Sequence, residues 1–456
     1  MKKIGLYLFT NDLRINDNTL LYQASQSVDE LLCVVIEPKL SAYSVRLSQE
    51  EHNGAHRHLF IKQAIDALTL NLARLGQRLD VLDRNTSENL VQIIKTQQVT
   101  HFFASSHCAH DERQLIENTL SECPNLLISQ QHHTTLFESD AFPFELTKLP
   151  RSFTKFRLQV ERLDINSEES VITCLPPAPQ TATKCYRKSI TELNDSKTGD
   201  YIGGETAGLT HLENYFSHDY AGTYKQTRNA LDGIDNSTKF SPWLALGCVS
   251  PKTIYRHLKQ FEAHRGANDS TYWIYFELLW REYFYWKCLT LGTSLFGWGS
   301  NHLSYEKLLA TNSGSSFARW KSGNTNYPIV DACMRQLNST GYMSNRGRQL
   351  VASCLTHELG IDWRHGAAYF ESQLIDYDVA SNWGNWAYIA GALNSQATQN
   401  ANKRNAANQS QSKSRHFDLV KQTEMHDPDH TFINKWLWDD EASASASAST
   451  RHQDVI

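Results

Sequence analysis

All eleven tryptophans of this 456-residue chain lie at Trp243 or later, and no other feature constrains the fold as strongly. A chain whose largest aromatic side chains are confined to its second half needs two differently built cores, and at this length two domains are expected. Over most of 205–395 the apolar residues follow a helical period. Aromatics concentrated in a helical region are compatible with plain core packing, so their meaning depends on the polar residues among them.

The first part is of another kind. KIGLYLF, LLCVVIEP, LDVLD, VTHFFAS and NLLISQ are strand candidates, separated by helical stretches such as HRHLFIKQAIDALTLNLARLG. This alternation predicts a Rossmann-like α/β domain with a parallel sheet, followed by a large all-α domain. No G-x-G-x-x-G follows the first strand, so a dinucleotide held there in the usual way is not expected. The boundaries are placed at 1–134 for the α/β domain, 135–204 for a Pro-rich connector crossing the surface, 205–437 for the helical domain and 438–456 for a disordered tail ending in EASASASAST.

A net charge of −5 argues against a uniformly basic coat for nucleic acid but leaves a local basic cleft open. Nine scattered cysteines with no C-x-x-C pair point to reduced thiols in a cytoplasmic protein and to no structural metal. The amino terminus, MKKIGLYLFTNDLR, is too short in apolar residues for a signal core or a membrane span.

Three segments carry chemistry. In TYWIYFELLWREYFYW, 271–286, Glu277, Trp280 and Arg281 share one neighbourhood of a helix that is aromatic almost all round. An i,i+4 Glu/Arg pair is usually a surface salt bridge, but buried charges need partners. Between 324 and 391, Asn345, Arg346, Arg348, Asp376, Asp378 and Asn382 stand among apolar helical stretches. A structural salt bridge accounts for Arg348 with Asp376. The amides beside them suit a polar heterocycle such as an isoalloxazine. Ser237, Thr238 and Ser241 precede the WLALG run, where hydroxyls at a helix start either cap the helix or bind phosphate.

In this order and spacing the segments resemble the FAD-binding domain of the photolyase/cryptochrome superfamily. LPRSFTKFR, GGETAGL, TKFSPWLALGCVSP and FDLVKQ with its following DPD resemble the cryptochrome DASH branch. The resemblance implies that Tyr224, Ser237, Thr238, Lys239 and Ser241 surround the FAD diphosphate. By the same resemblance Arg281, Asn345, Arg348, Asp376 and Asp378 surround the rest of the cofactor, and the neutral amide of Asn382 faces flavin N5. It implies a pocket for a pyrimidine dimer made by Glu277, Trp280, Gln349 and Tyr388. Gln349 and Tyr388 replace the Met and second Trp of duplex photolyases and make that pocket more polar. Trp386 and Trp363 match the inner members of an electron-transfer chain, with Trp320 or Tyr305 as the open third. A methenyltetrahydrofolate antenna is implied, with Glu112 as the carboxylate best placed for its pterin.

The implied function is blue-light-dependent splitting of cyclobutane pyrimidine dimers in single-stranded DNA by electron transfer from photoexcited FADH⁻. RNA and looped duplex stay open as partners, and a monomer is expected. The alternative is a blue-light photoreceptor with a signalling role and little repair activity.

Overall fold

The computed structural model describes residues 2–82, 87–166, 170–179, 199–297, 314–395 and 414–438. All five expected strands form: β1 Ile4–Phe9, β2 Glu30–Ile36, β3 Leu79–Leu82, β4 His101–Ser105 and β5 Leu127–Gln131. They pair in parallel in the order β3-β2-β1-β4-β5. The inner strands are apolar on both faces because helices or the second domain cover both. Leu6, Leu8, Leu32, Val34 and Phe102 point to one side and pack with Ile93 and Ile94 of helix Ser87–Gln97. Their neighbours Tyr7, Phe9, Cys33, Val35 and Phe103 point to the other and join a core that runs on into the helical domain. The alternation of a strand thus divides its residues between two cores, one of them shared between domains.

The loop after β1 locks the domains together. Arg14, almost wholly buried, donates to the carbonyls of Gly247 at 3.0 Å and His133 at 3.2 Å. Glu205 reaches back to accept the backbone N–H of Asn16 at 2.7 Å and an amide N–H of Asn71 at 3.0 Å. Asp17 accepts the hydroxyls of Ser250 and Thr253. Gly247 has φ +65°, and a Cβ there would run into the Asn11 carbonyl.

The stretch 135–204 differs from a connector that merely crosses the surface. It contains helix Phe153–Val160, and Leu136, Phe137, Phe142, Phe153 and Phe156 are buried in the shared core. Their spacing follows neither strand nor helix period, which is why the sequence looked irregular there. No described helix is long and apolar enough to cross a membrane.

Replacing Gly247 by Ala combines a left-handed backbone position with a collision against Asn11. The expected loss is about 2–4 kcal/mol of stability, read as a lowered midpoint in urea or thermal unfolding.

Candidate functional site

Helix Asp269–Leu291 begins with a capping box between Asn268 and Thr271 and buries most of its circumference. Its charged residues therefore seek partners on other segments, and the expected Glu277–Arg281 proximity does not become a pair. Glu277 pairs with Arg228, whose guanidinium lies 4.1 Å from the centre of the Trp273 ring. Arg281 donates to the Thr134 carbonyl and stands 4.0 Å from Asp378. Glu282 accepts the backbone N–H of Leu136 at 2.6 Å and the indole N–H of Trp286 at 3.1 Å. Burial pushes the Glu282 carboxyl up to about 7 despite these bonds, and burial raises Glu277 against the opposing pull of Arg228.

One cavity of about 200 Å³ lies where helix Asn345–Ser353, helix Trp363–Gln373 and helix Val379–Ile389 converge. Ser241, Asn345, Arg348, Gln349, Asp376, Asp378, Asn382 and Trp386 all line it. Asp376 organises this wall: it accepts Arg348 Nη2 on both oxygens, at 3.0 and 2.8 Å, and the Ser241 hydroxyl at 2.6 Å. Asp378 caps its helix by accepting the N–H of Ser381 at 2.7 Å. Asn382 is buried and donates to the Ala367 carbonyl at 2.9 Å, which fixes its amide. Phe370, Leu374 and Ile389 supply apolar walls. This donor set suits a flat heterocycle with both carbonyl and N–H edges.

Tyr224, Ser237, Thr238, Lys239 and Arg281 are not among the lining residues. Tyr224 is buried on helix Tyr220–Thr227, and the Thr238 carbonyl pairs with His211 at 2.9 Å. The Lys239 ammonium lies over the Tyr342 ring instead.

Beside the cavity, Trp280 stacks on Phe153 with ring centres 3.7 Å apart and meets Tyr388 at 5.7 Å. Arg415 lies over the Tyr388 ring at 4.6 Å and donates to its hydroxyl at 2.5 Å. Phe153, Arg228 and Arg415 were not singled out for this pocket from the sequence. Phe153 was visible only as part of the LPRSFTKFR segment, whereas nothing local marks the two arginines.

Trp386, Trp363 and Trp320 each have aromatic neighbours. Trp386 meets Trp320 at 6.1 Å and Phe370 at 5.2 Å, while Trp363 meets Trp383 at 5.9 Å. Tyr305 lies outside the described residues.

A larger cavity of about 580 Å³ opens at the carboxyl ends of β1 and β2, where open α/β sheets hold ligands. Glu112 lines it from the first turn of helix His110–Ser121, and Arg57, Tyr377 and Trp383 line it as well. Arg57 is buried over the Tyr377 ring at 4.5 Å, with Nη1 unpartnered. Tyr377 lines both cavities.

The fold and these cavities agree with two family models, DNA photolyase over residues 5–179 and the FAD binding domain of DNA photolyase over 273–452. They define a photolyase-type protein carrying an FAD-binding domain, and the donor set around Asp376 fits that cofactor. A cryptochrome DASH from Vibrio parahaemolyticus is 47% identical over 455 residues, covering 100% of this chain and 96% of that protein. The Synechocystis cryptochrome structure is 34% identical with a TM-score of 0.82, covering 96% of this chain and 89% of that one. A class III photolyase from Agrobacterium tumefaciens, at 23% identity and a TM-score of 0.78 over 96% of this chain and 86% of that one, shares the fold. The chain belongs to the cryptochrome DASH family.

Because Glu282 is harder to ionise folded than unfolded, it costs stability where it is charged and stops doing so as pH falls through about 7. Unfolding free energy should carry a component of up to about 3 kcal/mol that is gained between pH 8 and 5. Denaturant titrations across that range should show this component in the wild type and lose it in Glu282→Gln.

Proposed function

We propose that the protein splits cyclobutane pyrimidine dimers in single-stranded DNA under blue light. FAD would be held by the cavity around Asp376, and methenyltetrahydrofolate by the cavity containing Glu112. The domain limits 1–134, 135–204 and 205–437 are proposed with it, the middle stretch serving as packed core as well as link. The observation that carries the reading is that Gln349 lines the cavity around Asp376, Trp280 meets Tyr388 at 5.7 Å, and Glu277 lies on the same helix as Trp280. The chemistry bound reduced FAD supplies under light is loan of one electron to the dimer and its recovery after ring opening, with no net redox change.

The chain's own residues bind and orient. Asn345, Arg348, Asp376, Asp378 and Asn382 present matched hydrogen-bonding groups to the cofactor, and Ser241 steadies Asp376. Tyr224, Ser237, Thr238 and Arg281 would complete the cofactor's surroundings, with Lys239, whose ammonium lies over the Tyr342 ring, adding only its backbone N–H. Glu277 offers a carboxylate to the base edges, its pKa raised by burial against the pull of Arg228. Arg228 must yield at least part of its pairing for that contact to form. Trp280 presents an indole already backed by Phe153, so the apolar wall is set before DNA arrives. Glu112, Arg57 and Tyr377 offer a carboxylate, a guanidinium and a ring to the pterin.

The polar pair Gln349 and Tyr388 supports the strand preference. Extracting a dimer from duplex costs a few kcal/mol, a case for which photolyases are a standard example. Base stacking on an aromatic contributes roughly 1–3 kcal/mol, and Tyr388 offers less ring than a tryptophan while its hydroxyl is held by Arg415.

Repair of one defined thymine dimer by the reduced, FAD-loaded protein, with a dark control, should occur in a single-stranded oligonucleotide and be weak in the duplex. Repair of neither would favour a light sensor. The double variant Tyr388→Trp, Gln349→Met should raise duplex repair about tenfold if the pocket limits flipping; an unchanged rate would place the limit in the outer groove.

Glu277→Ala should lower dimer affinity about tenfold or more through loss of a charge-assisted hydrogen bond, with bound FAD unchanged in absorbance. Loss of FAD from that variant would instead make Glu277 a structural residue.

A further inference from the structure

A third space among the described residues has no part in the reading above. A cleft of about 260 Å³ is bounded by residues 231–234, the end of helix Pro328–Thr340 and the C-terminal helix Thr431–Leu437. Tyr342 lines both this cleft and the cavity around Asp376, so one ring stands between them.

The cleft carries unused binding capacity of four kinds. Its walls are aromatic, with Tyr201, Tyr342 and Trp436. Lys239 is buried beside it at 6% exposure, in a left-handed conformation with φ 52°, its ammonium 4.9 Å from the Tyr342 ring centre. Among the described residues no carboxylate pairs with Lys239, whereas Lys435 at the same cleft is neutralised by Asp232 at 2.6 Å. Gln336 Oε1 and Trp436 Nε1, an acceptor and a donor of lining residues, are buried without a partner. Folded interiors seldom leave such atoms unpaired, and each one needs a water, an ion or a ligand to answer it. Finally, exposed Asp200 lines the cleft and offers a carboxylate of the kind that holds ribose hydroxyls.

Aromatic faces, one acceptor, one donor, a buried cation and a rim carboxylate match the parts of a nucleotide. We propose that this cleft binds a nucleoside monophosphate, separately from the flavin. The base would lie among the rings with its edge on Gln336 and Trp436, the phosphate at Lys239 and the ribose at Asp200.

Equilibrium dialysis of the FAD-loaded protein against labelled adenosine 5′-monophosphate is expected to show one saturable site. Adenosine and inorganic phosphate should each compete at least tenfold less well. Trp436→Phe keeps a ring and removes the N–H, and Asp200→Asn removes a surface charge. Each should weaken binding about fivefold to tenfold while FAD absorbance and dimer repair stay unchanged. No saturable binding by the wild-type holoprotein would overturn the proposal. So would binding that appears only after FAD is removed, which would mark the probe as entering the flavin's own adenine position. An affinity indifferent to both variants would overturn it too. The dialysis readout does not depend on repair, so an inactive protein would count against the proposed activity and not against this cleft.

Discussion

A helix that buries nearly its whole circumference has to find a partner for every charge it carries. In Asp269–Leu291 that demand assembles the site, because Glu277, Arg281 and Glu282 each take a partner from another part of the chain. Glu277 draws in Arg228, Arg281 draws in Thr134 and approaches Asp378, and Glu282 holds the backbone at Leu136. The inter-domain stretch, the end of helix Tyr220–Thr227 and the turn carrying Asp378 are thereby fixed to one rod. Aromatic burial supplies the driving force and the charges supply the register.

The same logic places the two cavities. Asp376 and Asp378 flank Tyr377, so adjacent residues of one turn serve the inner cavity with carboxylates and the outer cavity with a ring. Tyr377 is in turn held under buried Arg57 from helix Ala55–Arg74 of the α/β domain. Geometry at one cavity cannot shift without moving a wall of the other.

Much of this was legible in the sequence, for physical reasons that differ by segment. The strands could be read because inner strands buried on both faces become uninterrupted apolar runs, as in LLCVVI. The Arg348–Asp376 pair and the gathering of Asn345, Asp378 and Asn382 followed from polar residues too numerous to bury singly. What escaped was whatever depends on contact between distant residues without a local signature. Arg228 and Glu277 are 49 positions apart, and Arg415 and Tyr388 are 27 apart. The buried phenylalanines of 135–160 escaped because irregular segments have no period to betray which residues face inward. The ring pairings of Trp363 and Trp386 depend on side-chain directions that spacing along a helix does not determine.

The sheet's inner face bears on how such a protein is built over evolutionary time. Tyr7, Phe9, Cys33, Val35 and Phe103 pack in one core with residues of their own helices and of the helical domain, and Arg14 from the loop after β1 bonds the Gly247 carbonyl there. Two separate family models describe the two halves, yet one core cluster is built from residues of both. They are units of recognition without being units of exchange: a recombination that carried one half away would leave an open apolar face on both pieces. The pair is therefore constrained to diverge as a single inherited body.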